Sequence, residues 1–507
     1  MTEGIIKENL FVGSTAATVF TDLPAISDIS SLLSFTSEKY ADKTAIVDGK
    51  NYTYSELASR AGQYRSALKA AGVPRGGAVG ICFPNSFEFA AAALGAMSYG
   101  AIAVMIPFAL DGKTVFGCSM KYGFNALIYD ASAVEKVKFT AEMNKNVALI
   151  CPDNLSDGYE PVQTVCPSDG AAVVFTAGTT GKSKGALLSH KALSVGMLNG
   201  CYGWGDALGQ RYFLLLPLTH IFGLVRNLLT SIYTGSSLYI CRDLKNMFRE
   251  LPVYKPTIMV MVPALAEMAL NMTRMISPAI LGGELKTIIC GAAVVSPYLA
   301  REYDRLGVKL SAGYGMTETA NLVSGNPNTV ENPESVGFMY PDQSYKIVDG
   351  ELWLKGDHIL TEYYKDPEET EKAFSDGYFK TGDLVRVDSD GYLYITGRCK
   401  DIIVLSTGEN VSPAELETRF CELDCVQDAL VYLSRAESGA ESLVLEVLPR
   451  TAELKKAGID DVAAYCNEKI KEVNGSLYAY QRVNRVIIRT EDFPRTPSMK
   501  IIRPKNI

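Results

Sequence analysis

An apolar run, VVF, passes straight into TAGTTGKSKG over residues 173–185. That order of residue types suits phosphate binding. Glycines let backbone N–H groups close around phosphate oxygens, hydroxyls add donors, and lysine supplies positive charge. A Walker A loop is the rival reading. Gly181-Lys182-Ser183 satisfies its end, but its first glycine falls on Thr176, so the spacing fails. A plain turn would not call for so many Thr, Gly and Lys residues directly after a strand.

The elements around this loop alternate. NYTYSEL (51–57) leads into a helical pattern through about Ala71, and AVGICF (78–83) reads as a buried strand ending at Pro84. The stretch 87–108 carries only Glu88 as a charge, yet Gly95, Gly100 and Pro107 interrupt it, so a buried helix followed by a buried strand is expected rather than a membrane span. NALIYD (125–130) and VALICP (147–152) are further strand-like runs. Such alternation predicts βαβ units and largely parallel sheets. From about residue 335 the texture changes. SYKIVDGELWLKG and VRVDSDGYLYITG each alternate around an Asp-Gly turn, as antiparallel hairpins do. Beyond Arg398 come IIVL, a glycine loop, a helix from Ser412, a strand near ALVYL and a helix near 460–474. The expected fold is α/β: a large N-terminal domain (1–397) of βαβ-type sheets plus a small β-barrel-like part, and a small, mobile α+β C-terminal domain (398–507).

The 507 residues suffice for more than one domain, and 47% apolar with 21% charged residues is a globular balance. A net charge of −8 argues against a general nucleic-acid binder. Eleven scattered cysteines and three histidines give no zinc spacing and suit reduced thiols in a cytosol. The first 30 residues lack a basic start followed by an apolar core, so no signal peptide is expected, and a cytoplasmic location is.

The loop resembles the nucleotide loop of the adenylate-forming superfamily, which includes acyl-CoA synthetases, nonribosomal adenylation domains and firefly luciferase. Ala177 stands where serine is usual and Ser183 where proline is usual. Further segments resemble the family's motifs in the family's order: LPLTHIF (216–222), CGAAVVSP (290–297), AGYGMTE (312–318), GELWLKG (350–356), GYFKTGDL (377–384), GRCKDII (397–403) and PRTPSMK (494–500). The resemblance covers nearly the whole chain.

The resemblance implies an acid–thiol ligase. A carboxylate attacks the α-phosphate of ATP and expels pyrophosphate; a thiol then attacks the acyl-adenylate and expels AMP. It assigns Thr176, Gly178, Thr179, Thr180, Gly181 and Lys184 to the phosphates. Gly291, Ala292 and Ala293 form the backbone turn against adenine. Tyr314 stacks on adenine, with Gly313 and Gly315 leaving room for backbone to approach the ligand. Asp383 takes the ribose hydroxyls and Arg398 the phosphate or ribose oxygens. His220 stands beside the acyl carboxylate, Thr317 donates to the α-phosphate, and Glu318 offers Mg²⁺ a hard oxygen ligand. Lys400 is the hinge, Gly408 lines the thiol's approach, and Lys500 is the catalytic lysine, with Met499 where glycine is usual.

The acid itself is less legible. Amino-acid-activating members carry an aspartate near this segment, whereas LTHIFGL has His220 and no acid, which weighs against an amino-acid substrate. Gly315 stands where acetate-activating members close the pocket with tryptophan, and the two tryptophans here are Trp204 and Trp353. An open pocket points to a medium- or long-chain fatty acid, with an aryl acid as the other choice; GLVRNLLTSIY (223–233) fits either acid and fits equally an amphipathic core helix. The partners expected are the carboxylic acid, ATP, Mg²⁺ and coenzyme A. A carrier protein presenting the same thiol, a silent nucleotide-binding relative and a P-loop ATPase remain the alternatives.

Overall fold

The computed structural model describes residues 2–3, 23–176, 184–202, 207–293, 295–341, 343–406, 409–435, 441–495 and 501–503. Two large sheets carry most of the chain. In one, Thr44–Asp48, Ser237–Ile240, Arg211–Leu214, Ile258–Met261, Thr287–Cys290 and Lys309–Gly315 lie side by side in that order, all parallel. In the other, Gly170–Phe175, Ile102–Met105, Ala78–Cys82, Phe124–Tyr129 and Ala148–Ile150 form the parallel core. Antiparallel strands finish the edges: Leu322–Gly325 in the first sheet, Gly185–Ser189 and then Glu362–Tyr363 in the second. The central strands are nearly continuous apolar runs, as covered parallel sheets require.

Local signals account for the helices. Tyr54–Ala70 opens on a capping box in which Thr53 and Glu56 satisfy each other's backbone N–H groups. Phe87–Tyr99 is buried along nearly its whole length and is followed by the strand Ile102–Met105, as the sequence predicts. Gly95 belongs there because a Cβ would stand 2.9 Å from the Ala61 carbonyl oxygen and 2.8 Å from Tyr64 Cβ. Among the described residues no helix is long and apolar enough to cross a membrane.

The hairpins also form as read. Ser344–Val348 pairs with Glu351–Lys355 around Asp349-Gly350, and Tyr378–Val387 pairs with Leu393–Arg398, all in one six-stranded sheet. A second hydrophobic core lies beyond. Val426–Arg435, Glu441–Pro449 and Arg485–Ile488 make a three-stranded sheet. The helices Pro413–Cys421 and Val462–Ser476 cover it, burying Leu416, Phe420, Leu445, Val447 and Ile470. Ser412 caps the first of these helices, accepting from the Glu415 N–H.

Candidate active site

The site gathers where parallel strands of both large sheets end. Gly170–Phe175 runs into the phosphate loop, Thr287–Cys290 into residues 291–293, and Lys309–Gly315 into Thr317 and Glu318. The carboxyl ends of such strands are where open α/β sheets place their ligands.

Three of the predicted residues are tied together through a strand the sequence did not single out. The Thr176 N–H donates to the Lys184 carbonyl at 2.8 Å, closing the mouth of the loop. Lys184 Nζ pairs with Glu369 and lies 4.5 Å from the centre of the Tyr363 ring. Tyr363 Oη donates to Glu318 Oε1 at 2.9 Å, and the Leu360 N–H donates to the Glu318 carbonyl at 2.8 Å. The edge strand Glu362–Tyr363, paired with Leu187 and Ala186, therefore joins the phosphate loop to Glu318. Burial raises the Glu318 carboxyl above its ordinary range, while the Tyr363 hydroxyl and the charges of Arg398 and Lys184 oppose the shift. Glu369 is held down at about 2, by Lys184 and then by Lys372.

A second group forms on the small antiparallel sheet. Asp383 is 2% exposed. It accepts from Tyr314 Oη at 2.6 Å and pairs with Arg398 Nε at 2.8 Å. Burial, followed by the negative charge of Asp383, raises the Tyr314 phenol well above its usual value, so it stays a donor. The positive charge of Arg398 is also felt at Glu318.

The turn expected against adenine is a real turn. Ala292 has φ +70°, a left-handed conformation that costs a side-chain-bearing residue and collects at ligand sites. Gly291 precedes it, packed so that a Cβ would meet the Phe222 ring and the Gly313 carbonyl oxygen, each at 3.1 Å; Ala293 follows it, exposed. Thr317 is buried beside Glu318. His220 is partly buried, and its Nδ1 accepts from the Phe222 N–H at 3.3 Å, which assigns the ring proton to Nε2. Lys400 is exposed just after the strand Leu393–Arg398. Gly178, Thr179, Thr180, Gly181, Gly408 and Lys500 lie outside the described residues, as do Ala177, Ser183, Trp204 and Met499.

Two expectations are corrected. Gly313 and Gly315 do not hold space for a ligand on their Cβ side. A Cβ on Gly315 would stand 2.2 Å from the Asn321 carbonyl oxygen, and one on Gly313 would stand 2.6 Å from Leu322 Cδ1. The neighbouring antiparallel strand fills that room, so these glycines serve sheet pairing. GLVRNLLTSIY is not an amphipathic helix either. Phe222–Leu229 is wound as a π-helix, Thr230–Tyr233 continues as α, and every residue of both is buried, including Arg226. A helix enclosed on all sides needs no polar face. Sequence reasoning missed Tyr363 and Glu369, because nothing in TEYYKDPEE shows that its strand will dock beside Lys184. It also passed over Arg226, whose lone charge inside an apolar run was the available signal.

Comparison with known proteins agrees along most of the chain. The AMP-binding enzyme family matches residues 33–364, and its C-terminal domain matches residues 400–507. A 4-coumarate–CoA ligase-like protein of Oryza sativa subsp. japonica is 28% identical over 518 residues, covering 92% of this chain and 90% of that protein. A long-chain-fatty-acid–CoA ligase of Mycobacterium tuberculosis is 26% identical over 480 residues, covering 89% and 92%. Among solved structures, an anthranilate CoA ligase in complex with anthranoyl-AMP superposes with a TM-score of 0.83 at 22% identity, covering 95% and 96%. With the family model spanning well over half the sequence, this chain belongs to the AMP-binding enzyme family.

Proposed function

We propose that this enzyme is an acid–thiol ligase. It converts a carboxylic acid and ATP to acyl-adenylate and pyrophosphate, then passes the acyl group to the thiol of coenzyme A, releasing AMP. The observation that carries this reading is the Tyr314–Asp383–Arg398 group together with the Glu318–Tyr363–Lys184 group, linked through the short segment from Tyr314 to Glu318. A buried carboxylate with one phenol and one guanidinium partner still has lone pairs for a ribose diol. The adjoining Lys184 and the loop it ends suit a triphosphate.

The first half-reaction brings an anionic acid up to an anionic phosphate, so its barrier falls when fixed cations and donors meet charge as it develops. Lys184 and Arg398 supply charge at two sides of the site, Thr317 a hydroxyl and His220 a ring N–H for the acid's carboxylate. The donor set fits Mg²⁺. Glu318 gives a hard oxygen, and among the described residues no cluster of three acidic, His or Cys side chains forms a complete cage. Magnesium takes one or two carboxylates and otherwise water and phosphate oxygens. When bound there it neutralises phosphate charge. We place the domain boundary at residue 398. Lys400 is the hinge about which the smaller domain turns between half-reactions, carrying Lys500 to the site for adenylation and Gly408 for thiol attack.

The similar proteins named above act, by their names, on aryl and long-chain acids, and both acid classes stay with this reading. The test is incubation with ATP, Mg²⁺, coenzyme A and a pooled panel of fatty, aryl and amino acids, reading acyl-AMP and acyl-CoA by mass spectrometry. Acyl-CoA that disappears in Lys500→Ala is expected. Acyl-AMP without acyl-CoA would move the acceptor to a carrier protein, and neither product would overturn the ligase reading.

A further inference from the structure

The ammonium of Lys184, where the phosphate loop ends, carries an anion of the protein's own. Glu369 pairs with it, and Glu369 also accepts from Lys372 Nζ at 2.9 Å. These bonds, the one to Lys184 first, hold the Glu369 carboxyl down at about 2, so it stays charged. The Lys184 and Glu369 side chains are 25% and 30% exposed. An ion pair so open to water is worth little, and it yields to a stronger partner.

Backbone bonds set the two residues against each other. The Tyr364 N–H donates to the Gly185 carbonyl at 2.7 Å, one residue beyond Lys184. The Tyr363 N–H donates to Thr370 Oγ1 at 2.9 Å, and Thr370 Oγ1 donates to the Asp366 carbonyl at 2.9 Å. Asp366 caps the short helix Pro367–Ala373, accepting from the Glu369 N–H at 3.3 Å. The helix is thus tied to the edge strand Glu362–Tyr363, and that strand to the one leaving the phosphate loop. A braced backbone presents the Glu369 carboxylate to Lys184.

We infer that Glu369 is a built-in competitor of phosphate for Lys184, which lowers the affinity of the site for ATP and hastens the departure of pyrophosphate. This rests on the ligase reading for which phosphates reach Lys184. Lysine is a compact cation on a flexible stem, with three donors that can change partners. A polyphosphate carries more charge than one carboxylate, so it takes the ammonium, but against the pull of Glu369. The same pull draws Lys184 back as pyrophosphate leaves. Lys372 keeps a cation beside Glu369 throughout, so the carboxylate is not left unpaired when Lys184 turns away.

A glutamate that merely held Lys184 in place for the phosphates would act with the opposite sign, since its loss would weaken nucleotide binding. The test therefore measures binding of ATP, inorganic pyrophosphate and adenosine to the full-length protein by calorimetry with Mg²⁺ present. In Glu369→Gln, ATP and pyrophosphate should bind about 5-fold tighter, while adenosine binds the two proteins alike. Glu368→Gln makes the same change of charge at the exposed neighbouring residue, and should shift ATP binding by less than about 2-fold. In a Lys184→Met background the effect of Glu369→Gln should vanish.

The inference falls if ATP and pyrophosphate bind no tighter in Glu369→Gln, or if they tighten equally with Lys184→Met present. It falls also if Glu368→Gln matches the effect of Glu369→Gln, if adenosine tightens as much as ATP, or if the wild-type protein binds neither ATP nor pyrophosphate. Acyl-CoA formed from any acid, with ATP binding the same in Glu369→Gln as in the wild type, would sink the inference and leave the ligase reading standing. The expected binding pattern with no acyl product from any acid would uphold the inference and sink the ligase reading instead.

Discussion

Asp383 and Arg398 stand directly opposite each other across an antiparallel strand pair, with Arg398 Nε 2.8 Å from Asp383 Oδ1 while Tyr314 holds the other oxygen. The carboxylate is fixed from two sides before any ligand arrives. Such preorganisation lowers the cost of ordering a ribose against it.

Asp383→Asn should therefore raise KM for ATP by about 10- to 100-fold, since an amide keeps the shape but loses a charged acceptor. Tyr314→Phe should cost less, because Arg398 still orients the carboxylate. Initial-rate kinetics on both variants decide this, and an unchanged KM in Asp383→Asn would remove Asp383 from the nucleotide site.

Glu318 and Tyr363 make a metal-site prediction. Chelation of Mg²⁺ should abolish acyl-AMP formation, and Glu318→Gln should leave little activity at any Mg²⁺ concentration. Tyr363→Phe removes only the hydroxyl that orients the carboxylate, so half-saturating Mg²⁺ should rise by about 10-fold with kcat largely recovered at high Mg²⁺. Magnesium titrations of the pyrophosphate release rate separate the two roles.

Arg450 reaches from the smaller core to Glu267 of the larger one, and its guanidinium lies 3.9 Å from the centre of the Tyr298 ring. Both members of the ion pair are buried. Arg450→Ala would strand the Glu267 carboxylate, at a cost of about 3–5 kcal/mol in the stability of this arrangement. Replacing both partners, as in Glu267→Leu with Arg450→Met, should cost far less for the same reason. Chemical denaturation, together with protease cleavage near residues 398–400, reads both effects.

The two parts of the chain also share a proton-sensitive contact. Burial, and then its hydrogen bond to Glu334, raises the Glu422 carboxyl to about 7, against the opposing charges of Arg419 and Arg301. The sign follows from the raised value. Glu422 favours the contact fully below its ordinary carboxylate range, and that favour fades as pH rises through about 7, when two carboxylates face each other. Glu422 as a whole is exposed, so solvent screening keeps the effect modest. Cleavage near residue 400 should quicken between pH 6 and 8, and Glu422→Gln should flatten that dependence. A pH profile that is identical in the variant would show that the pair does not matter.

Local patterns carried far. The apolar runs at 78–82 and 102–105, the Asp-Gly hairpin at 349–350, the cap at Ser412 and the strand Gly170–Phe175 all lie where the sequence puts them. Each depends on residues within a few positions of one another: side-chain periodicity, a turn dipeptide, a cap three residues from its donor. The motif residues Asp383, Tyr314, Glu318 and Lys184 were recognisable for the same reason, each sitting in a short segment of distinctive residue types.

What sequence alone determined is thus the class of fold and the short motifs that carry Asp383, Tyr314, Glu318 and Lys184. Tertiary structure decided their partners. Tyr363 meets Glu318 only because the edge strand Glu362–Tyr363 joins the sheet beside Gly185–Ser189. Gly315 proved to serve sheet pairing because a strand returns beside it. Arg226 became a buried cation because the π-helix that carries it packs against the end of the helix His190–Asn199, where its guanidinium donates to the Asn199 carbonyl. Contacts between residues far apart in the chain depend on strand order and packing, which no local pattern encodes, and burial is a property of those contacts rather than of the residue itself.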